Sequence, residues 1–307
     1  MNDISVIIPT YKRKDKLKRA LSSALDQSLP AREIIVVDDN RDEAESRAVK
    51  ECIEAFNDPR LQWIPNFRKP GGCGARNAGI MTAKGTFIAF LDDDDVFLPR
   101  ALEVHLAAFD VSTGMVYGNC QVVDDLYKVT ETTAFKKAPL HFNDLIMGDC
   151  PPSSSVVMAR RTVLMEAGLF DESLPSFQDY DMWLKVAQQH TIMSHEGLVA
   201  KFIQHDGQRT SINFNKRKAG LDLIVEKWSP DIVQVRSLKS FINHFMAGAY
   251  FNSGAVALSL GHRHRVEAVG YFLRALRLKG SSRRYWKWTV FGLLGFQLTK
   301  KIRSIHP

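Results

Sequence analysis

The feature that most constrains this chain is an alternation of short β-favouring runs with amphipathic segments over its first 90 residues. Apolar runs at Ile4–Pro9, Glu33–Val37 and Thr86–Leu91 predict strands buried on both faces. Helices are predicted between them, at Lys14–Leu25, Asp42–Phe56 and Ala75–Ala83. This alternation predicts an α/β fold with a mostly parallel sheet, helices on both of its faces and ligands beyond the carboxyl ends of the strands.

The rest of the chain divides into a mixed segment and a helical segment. Residues from about Met115 to Asp206 hold strand-like runs and a helix that begins near Asp179, and they continue the first half directly. From about Asn213 the pattern is helical, and Gly261 separates two segments that we interpret as a helical hairpin with apolar positions at Ala247, Tyr250, Phe251, Ala268, Phe272, Ala275 and Leu276. The hairpin resembles one degenerate tetratricopeptide-like unit, but one unit does not form a solenoid, so a helical cap on the core is the simpler interpretation.

Composition limits the cellular setting and the kinds of site. The 307 residues, 45% of them hydrophobic and 24% charged, are typical of a soluble globular protein. The cysteines, at positions 52, 73, 120 and 150, form no CxxC pair, so neither a zinc site nor a thiol-exchange motif is expected. The apolar run at the N-terminus is too short for a signal peptide, and we expect a cytoplasmic protein.

Four consecutive carboxylates follow the third predicted strand. Asp92, Asp93, Asp94 and Asp95 stand between TFIAFL and VFLPRALE. Two carboxylates about 5 Å apart repel by about 3 kcal/mol at an effective dielectric constant of 20, so the cluster favours a bound cation. Oxygen ligands select Mg²⁺ or Mn²⁺, which complete their coordination with water and substrate phosphates. The alternative is a solvated run that caps the next helix.

A second acidic pair, Asp38-Asp39, ends the strand EIIVV and is followed by Asn40. These residue types are ordinary in turns, so the pair alone is a weak signal. It lies, however, at the same predicted sheet edge as the four aspartates. A carboxylate there can accept a hydrogen bond from an N–H of a nucleobase.

A glycine-rich segment, PGGCGARNAG, spans residues 70–79 and leads into a predicted helix. Glycines allow the backbone to approach a phosphate, and a helix N-terminus attracts anions. Arg76 adds a fixed charge that can pair with phosphate or base oxygens. The segment matches neither GxGxxG nor a P-loop, and the alternative is a glycine-rich turn with a surface arginine.

A fourth cluster lies in GLFDESLPSFQDYDMW, residues 168–183. Asp179 and Asp181 flank Tyr180 where a helix is predicted to begin. Both acids suit the first turn of a helix. A carboxylate beside a bound sugar can also take the proton of an attacking hydroxyl, so the cluster is a candidate source of a general base.

Together these motifs resemble a known series. SVIIPTYKR, IIVVDDN, GGCGARNAGI, FIAFLDDDDVFLP and GLFDESLPSFQDYDMW occur in the order found in the family 2 inverting glycosyltransferases. The resemblance covers about residues 3–210 and implies the GT-A fold, a single Rossmann-like, mostly parallel sheet with flanking helices. We therefore expect a GT-A domain at residues 1–210 and a helical C-terminal region with a basic amphipathic tail at residues 211–307.

The resemblance implies how a nucleotide would be held. Pro9, Thr10 and Tyr11 would line the pocket of the base at the end of the first strand. Asp39 would bind the edge of uracil or another base, and Arg76 would help to hold the nucleotide.

The resemblance also implies the metal and catalytic residues. Asp92, Asp93 and Asp94 match the family's DxD motif. Asp94 would bind Mn²⁺ or Mg²⁺, Asp92 would lie nearer the ribose, and Asp93 is the variable middle residue. Asp179 matches the acid of the ED or QD motif and would be the catalytic base, although this chain has Gln178 where Glu is commoner.

Two further groups of polar residues are weaker candidates. His205, in FIQHDGQRTS, follows the last predicted strand of the core, where it would approach the metal or the diphosphate. A lone histidine is more often an ordinary hydrogen-bonding residue, but we keep His205 as a second metal ligand. The run 153–155 can contact an acceptor or form a turn, and it is left out of the predicted site.

The implied reaction is that of a metal-dependent inverting hexosyltransferase. Its donor would be a nucleotide sugar, with UDP favoured by the resemblance alone, and its acceptor a glycan hydroxyl. A sugar nucleotidyltransferase is one alternative, but the N-terminal segment IPTYKRKDK lacks the glycines that such enzymes need. A catalytically silent carbohydrate-binding assembly partner is the other, and the presence of Asp94 and Asp179 argues against it.

Positive charge is concentrated in the C-terminal segment. From Gly261 to Pro307, seven arginines and four lysines face one acid, Glu267, whereas the whole chain carries only +7. Helical spacing predicts an apolar stripe flanked by cations, at Trp288, Phe291, Leu294, Leu298, Ile302 and Ile305. Such a tail suits an anionic membrane surface, so we expect a peripheral protein on the inner face of the membrane. The expected acceptor is then a lipid-linked glycan of cell-surface polysaccharide or lipopolysaccharide synthesis. Packing of the stripe on the hairpin is the alternative, and no nucleic-acid partner is expected.

Overall fold

The apolar run near the N-terminus forms a buried strand, β1 (Ile4–Thr10), in the computed structural model, which describes residues 3–123, 129–203, 213–259, 262–280 and 282–294. It pairs in parallel with β2 (Glu33–Asp38) and with β4 (Phe87–Phe90), and β3 (Leu61–Pro65) adds to the outer side of β2. Every residue of β2 is buried, as expected of a strand covered on both faces. The three predicted strands are confirmed, while β3 is an addition.

Six further strands complete the sheet: β5 (Val96–Phe97), β6 (Thr113–Val123), β7 (Val129–Thr132), β8 (Ala138–Leu140), β9 (Val157–Arg160) and β10 (Thr191–Ile203). The order is β3-β2-β1-β4-β9-β6-β10-β5, with β7 beside β6 and β8 beside β10. β9 is antiparallel to both of its neighbours, whereas β6 and β10 are parallel over their long register. Most of the paired residues belong to parallel strand pairs, which confirms the predicted α/β class. The antiparallel direction of β9, in the middle of the sheet, is an addition to the prediction.

Seven helices accompany this sheet in the described part of the chain: α1 (Lys14–Leu25), α2 (Glu43–Glu54), α3 (Gly72–Thr82), α4 (Ala101–Ala107), α5 (Phe142–Met147), α6 (Arg161–Glu166) and α7 (Gln178–Ala187). α1 has the predicted bounds, and it buries Leu17, Ala20, Leu21 and Ala24 at the predicted spacing. α2 begins after Asp42, whose carboxylate accepts hydrogen bonds from the backbone N–H groups of Ala44 and Glu45. Local sequence therefore sets where α2 begins.

Glycines bring α3 unusually close to its neighbours. A Cβ atom on Gly79 would lie 2.5 Å from Cγ2 of Ile7 in β1, and one on Gly74 would lie 1.9 Å from the carbonyl oxygen of Lys69. Any larger residue would push the helix away. The glycine-rich segment thus serves close packing, which holds the first turns of α3 beside the end of β1.

The chain divides into two compact units. The first consists of residues 1–145, 149–173 and 178–206 and contains the sheet, and the second consists of residues 146–148, 174–177 and 207–307. The second unit contains α8 (Phe214–Val235), α9 (Leu238–Ser259), α10 (Arg265–Leu278) and α11 (Arg283–Leu294). α9 and α10 enclose a buried cluster around Phe251, Ala268 and Phe272, which confirms the predicted hairpin.

The two sides of α11 have different surroundings. Tyr285 stacks on Phe251 with ring centroids 5.0 Å apart, and the Trp288 ring meets that of Phe251 edge-on at 6.0 Å. Trp288 therefore packs on the hairpin, as the alternative interpretation of the tail expects. Trp286, 55% exposed, and Leu293, 59% exposed, lie on the opposite side.

The remainder of the predicted stripe is not described. The side chains of Phe291 and Leu294, and the whole of Leu298, Ile302 and Ile305, lie outside the described residues. Within the part of the chain that is described, no helix is both long and apolar enough to cross a bilayer.

Candidate active site

The four aspartates leave the end of β4 in a tight turn. The backbone N–H of Asp95 donates to the carbonyl of Asp92 at 3.0 Å. Asp93 and Asp95 are buried, whereas the side chains of Asp92 and Asp94 are 29% and 13% exposed. Of the four carboxylates, Asp92 and Asp94 are thus the more accessible pair, in the spacing of a DxD motif.

Arg13 neutralises one side of this cluster. Its Nη1 lies 2.8 Å from Oδ2 of Asp94 and 3.2 Å from Oδ1 of Asp93, and the hydroxyl of Thr10 donates to Oδ2 of Asp93 at 2.8 Å. Burial raises the pKa of Asp93 to about 6, against the opposing effect of Arg13. Lys12, with φ of +54° and its backbone N–H 3.0 Å from Oδ1 of Asn40, makes the turn that leads from β1 to Arg13.

Arg76 neutralises the other side. Its Nη2 lies 2.6 Å from Oδ1 of Asp92 and 3.0 Å from Oγ of Ser154. The guanidinium is buried and lies 5.7 Å from the ring centroid of Phe170. Its Nε is buried without a hydrogen-bond acceptor among the described residues. Arg76 is therefore a fixed interior cation on the acidic cluster, rather than the surface arginine of the alternative interpretation.

Asp179 lies in the first turn of α7 and joins the same network. The backbone N–H of Ser154 favours the ionised form of its carboxylate, and Ser154 Oγ lies 3.3 Å from Oδ1 of Asp92. Burial raises the pKa of Asp179, Arg76 opposes that shift, and the charge of Asp92 adds to it. Arg76 and Ser154, which both contact Asp92, therefore also stabilise the charge of Asp179.

Two of the serines excluded from the predicted site organise it. Ser155 Oγ accepts from the backbone N–H of Asp92 at 3.0 Å and donates to Oδ2 of Asp95 at 2.7 Å. Ser154 and Ser155 are both fully buried. The only sequence signal was a run of serines between Pro152 and a predicted strand.

Asp39 lies in a separate hydrogen-bond group. Its Oδ1 accepts from Nδ2 of Asn66 at 2.6 Å, and its Oδ2 accepts from the backbone N–H of Gly71 at 2.8 Å. Asp39 therefore fixes the loop between β3 and α3, with Asn66 as a partner that sequence reasoning missed. The neighbouring Asp38 is bound by Asn40 and by Nε1 of Trp63.

The remaining predicted residues differ in their surroundings. Pro9 is partly buried within β1, and Tyr11 is 51% exposed just beyond it. Both flank Thr10 along the chain but lie outside the hydrogen-bond network of the aspartates. His205 lies outside the described residues.

The donors present suit a hard divalent cation. Among the described residues, no group of three or more His, Cys, Asp or Glu is arranged to hold a metal ion. Mg²⁺ and Mn²⁺ at nucleotide sites use one or two carboxylates together with phosphates and water. The accessible oxygens of Asp92 and Asp94 meet that smaller requirement, and Arg13 and Arg76 already balance part of their charge.

Comparison with known proteins identifies the family. Residues 5–159, which contain nearly all of β1, the strands β2 to β4 and the four aspartates, match the family described as Glycosyl transferase family 2. The chain belongs to glycosyl transferase family 2. It is accordingly a glycosyltransferase, and the expected family and enzyme class are both confirmed.

One curated relative of this glycosyltransferase is named for a reaction. This chain is 28% identical over 190 residues to "UDP-Glc:alpha-D-GlcNAc-diphosphoundecaprenol beta-1,3-glucosyltransferase WfgD" of Escherichia coli. The match spans 62% of this chain and 71% of WfgD.

Two solved structures share the fold. Staphylococcus aureus TarS in complex with UDP-GlcNAc gives a TM-score of 0.60 at 17% identity, covering 90% of this chain and 81% of that structure. Mannosyltransferase PcManGT from Pyrobaculum calidifontis, in complex with GDP-Man and Mn²⁺, gives a TM-score of 0.58 at 17% identity, covering 95% and 84%. Together they confirm the expected GT-A type of fold.

Proposed function

We propose that this glycosyltransferase moves a hexosyl group from a nucleotide sugar to a glycan hydroxyl with inversion, using Asp179 as the base. The observation that carries the proposal is that Arg76 and Ser154, which both contact Asp92, also stabilise the charge of Asp179. It joins the acid of the QD motif to the DxD motif. A base must lie within reach of the sugar that the nucleotide presents, and this link supports that arrangement.

Asp179 accepts a proton in the proposed step. The acceptor oxygen forms a bond to the anomeric carbon as its proton passes to the Asp179 carboxylate. The bond from that carbon to the diphosphate breaks on the opposite face, and the nucleoside diphosphate leaves. Attack from the opposite face inverts the anomeric configuration, so an α-linked donor gives a β-glycoside. The positive charge of Arg76 favours the ionised form of Asp179 that this step requires.

The proposed donor site lies around the ends of β1, β2 and β4. Pro9, Thr10 and Tyr11 would line the base pocket, Asp39 would contact the base edge, and Arg76 would contact the nucleotide. The buried positive charge of Arg76 beside Asp92 supports its contact with the anionic nucleotide. UDP is the proposed nucleotide, supported by the UDP-Glc in the name of WfgD and the UDP-GlcNAc bound to TarS.

The proposed metal is Mn²⁺ or Mg²⁺ on Asp94, with Asp92 nearer the ribose, Asp93 in the middle position and His205 as a second ligand. When bound, such an ion stabilises negative charge on a diphosphate leaving group. The Mn²⁺ in the PcManGT complex and the oxygen donors of this site support the assignment.

The proposed acceptor is a lipid-linked glycan of cell-surface polysaccharide synthesis, reached from the cytoplasmic face of the membrane. The diphosphoundecaprenol in the name of WfgD supports this class. We assign transfer to residues 1–210 and peripheral membrane binding to the helical region, residues 211–307. The exposed Trp286 and Leu293, on the basic helix α11, support the second assignment.

Calorimetry tests the donor site directly. UDP and a panel of nucleotide sugars would be titrated with and without Mn²⁺ into the wild type, into Asp94→Ala, and into Asp222→Ala, a control on the exposed surface of α8. We expect metal-dependent binding of one nucleotide sugar that Asp94→Ala abolishes and Asp222→Ala retains. A folded wild-type protein that binds no donor would contradict the proposal and favour the silent assembly partner.

Turnover and flotation test the remaining parts. The anomeric configuration of the product, measured by NMR, decides inversion. Flotation with vesicles containing anionic lipid tests the membrane assignment, with Trp286→Glu/Leu293→Glu expected to lose binding and Val111→Glu, a change at an exposed site in the first unit, expected to keep it. Equal flotation of both variants would overturn that assignment.

A further inference from the structure

A basic pocket lies in the second unit, where the start of α9 meets the end of α10. Its cavity has a volume of about 390 Å³. The lining includes three cations, Arg236, Lys239 and Lys279, together with His244 and Asn243. Among the described residues that line the cavity, none is aspartate or glutamate. The pocket is therefore a concave surface of one sign of charge, which concentrates anions.

Arg236 is held in place by neutral groups. Its Nη1 donates to the carbonyl oxygen of Met147 at 3.2 Å, and its Nη2 donates to the carbonyl oxygen of Ser240 at 2.9 Å and to Ser240 Oγ at 2.7 Å. These contacts fix the guanidinium without cancelling its charge. A pre-positioned arginine loses little entropy when it binds an anion.

The two lysines are likewise not balanced by acids. Nζ of Lys279 lies 3.3 Å from Nδ1 of His244, which is a ring nitrogen and not a carboxylate. Within the part of the chain that the structure describes, Lys239 and Lys279 form no ion pair with a carboxylate. A ligand with a single carboxylate would neutralise only one of the three uncompensated positive charges around the cavity. A diphosphate carries enough negative charge to meet all three.

We propose that this pocket is a binding site for the diphosphate group of a ligand. The nearby serines and Asn243 add neutral hydrogen-bonding groups to the charges, and the cavity is large enough for a diphosphate with part of its substituent. The site is formed by residues of the second unit alone, so this proposal does not depend on the proposed transfer reaction. Its diphosphate can come from a free anion or from the headgroup of a polyprenyl lipid.

The test is calorimetric titration of sodium diphosphate into the full chain without divalent cations. The variants are Lys239→Ala/Lys279→Ala, its charge-preserving counterpart Lys239→Arg/Lys279→Arg, and Lys216→Ala/Lys227→Ala, which removes two lysines from α8. We expect the first to bind about tenfold more weakly or worse, and the other two to bind as the wild type does. Asp94→Ala should also bind diphosphate normally, which separates this site from the donor site.

A second arm identifies the source of the diphosphate. Farnesyl diphosphate that binds more tightly than inorganic diphosphate, and equally depends on Lys239 and Lys279, assigns the pocket to a lipid headgroup. Equal affinities assign it to a free anion. Absence of saturable binding by the wild type, or unchanged binding by a folded Lys239→Ala/Lys279→Ala protein, would overturn the proposal.

Discussion

Arg76 and Asp92 form an ion pair in which Nη2 lies 2.6 Å from Oδ1, where α3 meets the end of β4. Asp179 interacts electrostatically with both residues, since Arg76 lowers its pKa and Asp92 raises it. The pair therefore does more than neutralise one carboxylate of the four-aspartate cluster. It sets the balance of charge at the proposed base.

Removal of the Arg76 charge should shift the pH dependence of activity. Arg76→Gln takes away a cation that favours ionised Asp179, so the pKa of Asp179 rises, and the acidic limb of the kcat profile moves to higher pH. Arg76→Lys keeps the charge and should move the limb less, although it loses Nη2, the atom that contacts both Asp92 Oδ1 and Ser154 Oγ. Profiles of kcat measured from pH 5 to 9 check this, and a limb that stays in place in Arg76→Gln would contradict the assignment of Asp179.

Loss of the carboxylate itself should affect turnover more than donor binding. Asp179→Asn keeps the shape of the side chain but cannot accept a proton, so kcat should fall by about 10²- to 10⁴-fold. The dissociation constant of the donor should change little, because Asp179 is not one of the proposed nucleotide contacts. Asp171→Asn, the same change in the preceding loop, is the control. Activity retained by Asp179→Asn would remove it from the mechanism.

Sequence patterns located the acids of the site but not the residues that hold them. Arg13, Ser154 and Asn66 contact their acidic partners across 80, 62 and 27 positions of the chain. The spacing of residues in the sequence indicates which of them are neighbours along a strand or helix. It does not indicate contacts between residues that are far apart in the chain. The same reason explains β3, whose LQWIP segment is only half-buried and lacks a continuous apolar run, and the antiparallel direction of β9, which no run of apolar residues encodes.

Ser155 should matter for the shape of the aspartate turn. Ser155→Ala removes both the acceptor for the Asp92 N–H and the donor to the buried Asp95. Leaving such groups unsatisfied costs about 1–3 kcal/mol of unfolding free energy. We expect a lower melting temperature and a higher KM for the donor, with a smaller change in kcat.

Ser153→Ala is the matched control for this prediction. Its hydroxyl accepts only the backbone N–H of Ser155 in the described structure, so the turn itself keeps its partners. Thermal unfolding and steady-state kinetics of the two variants separate the roles. Equal effects of Ser153→Ala and Ser155→Ala would show that the loop acts as a whole, and not through Asp92 and Asp95.

A buried histidine pair should make the fold sensitive to acid. His195 Nδ1 accepts from the backbone N–H of Gly197 at 3.1 Å, so its proton lies on Nε2, which donates to Nδ1 of His105 at 2.9 Å. Burial lowers the pKa of His195 to about 4 and that of His105 well below its usual value of 6.5. Folding therefore favours the neutral rings.

The direction in which stability changes with pH follows from these lowered pKa values. The stability that neutral His195 contributes is fully present above pH 6.5 and is lost as the pH falls through about 4, with a limit of about 3 kcal/mol for a shift of this size. The unfolding free energy, measured by urea titration at both pH values, should thus decrease more between pH 7 and pH 4 in the wild type than in His195→Gln. His141→Gln, at an exposed site, should follow the wild type. If His195→Gln loses as much stability as the wild type over this interval, the pair is not the source of the acid sensitivity.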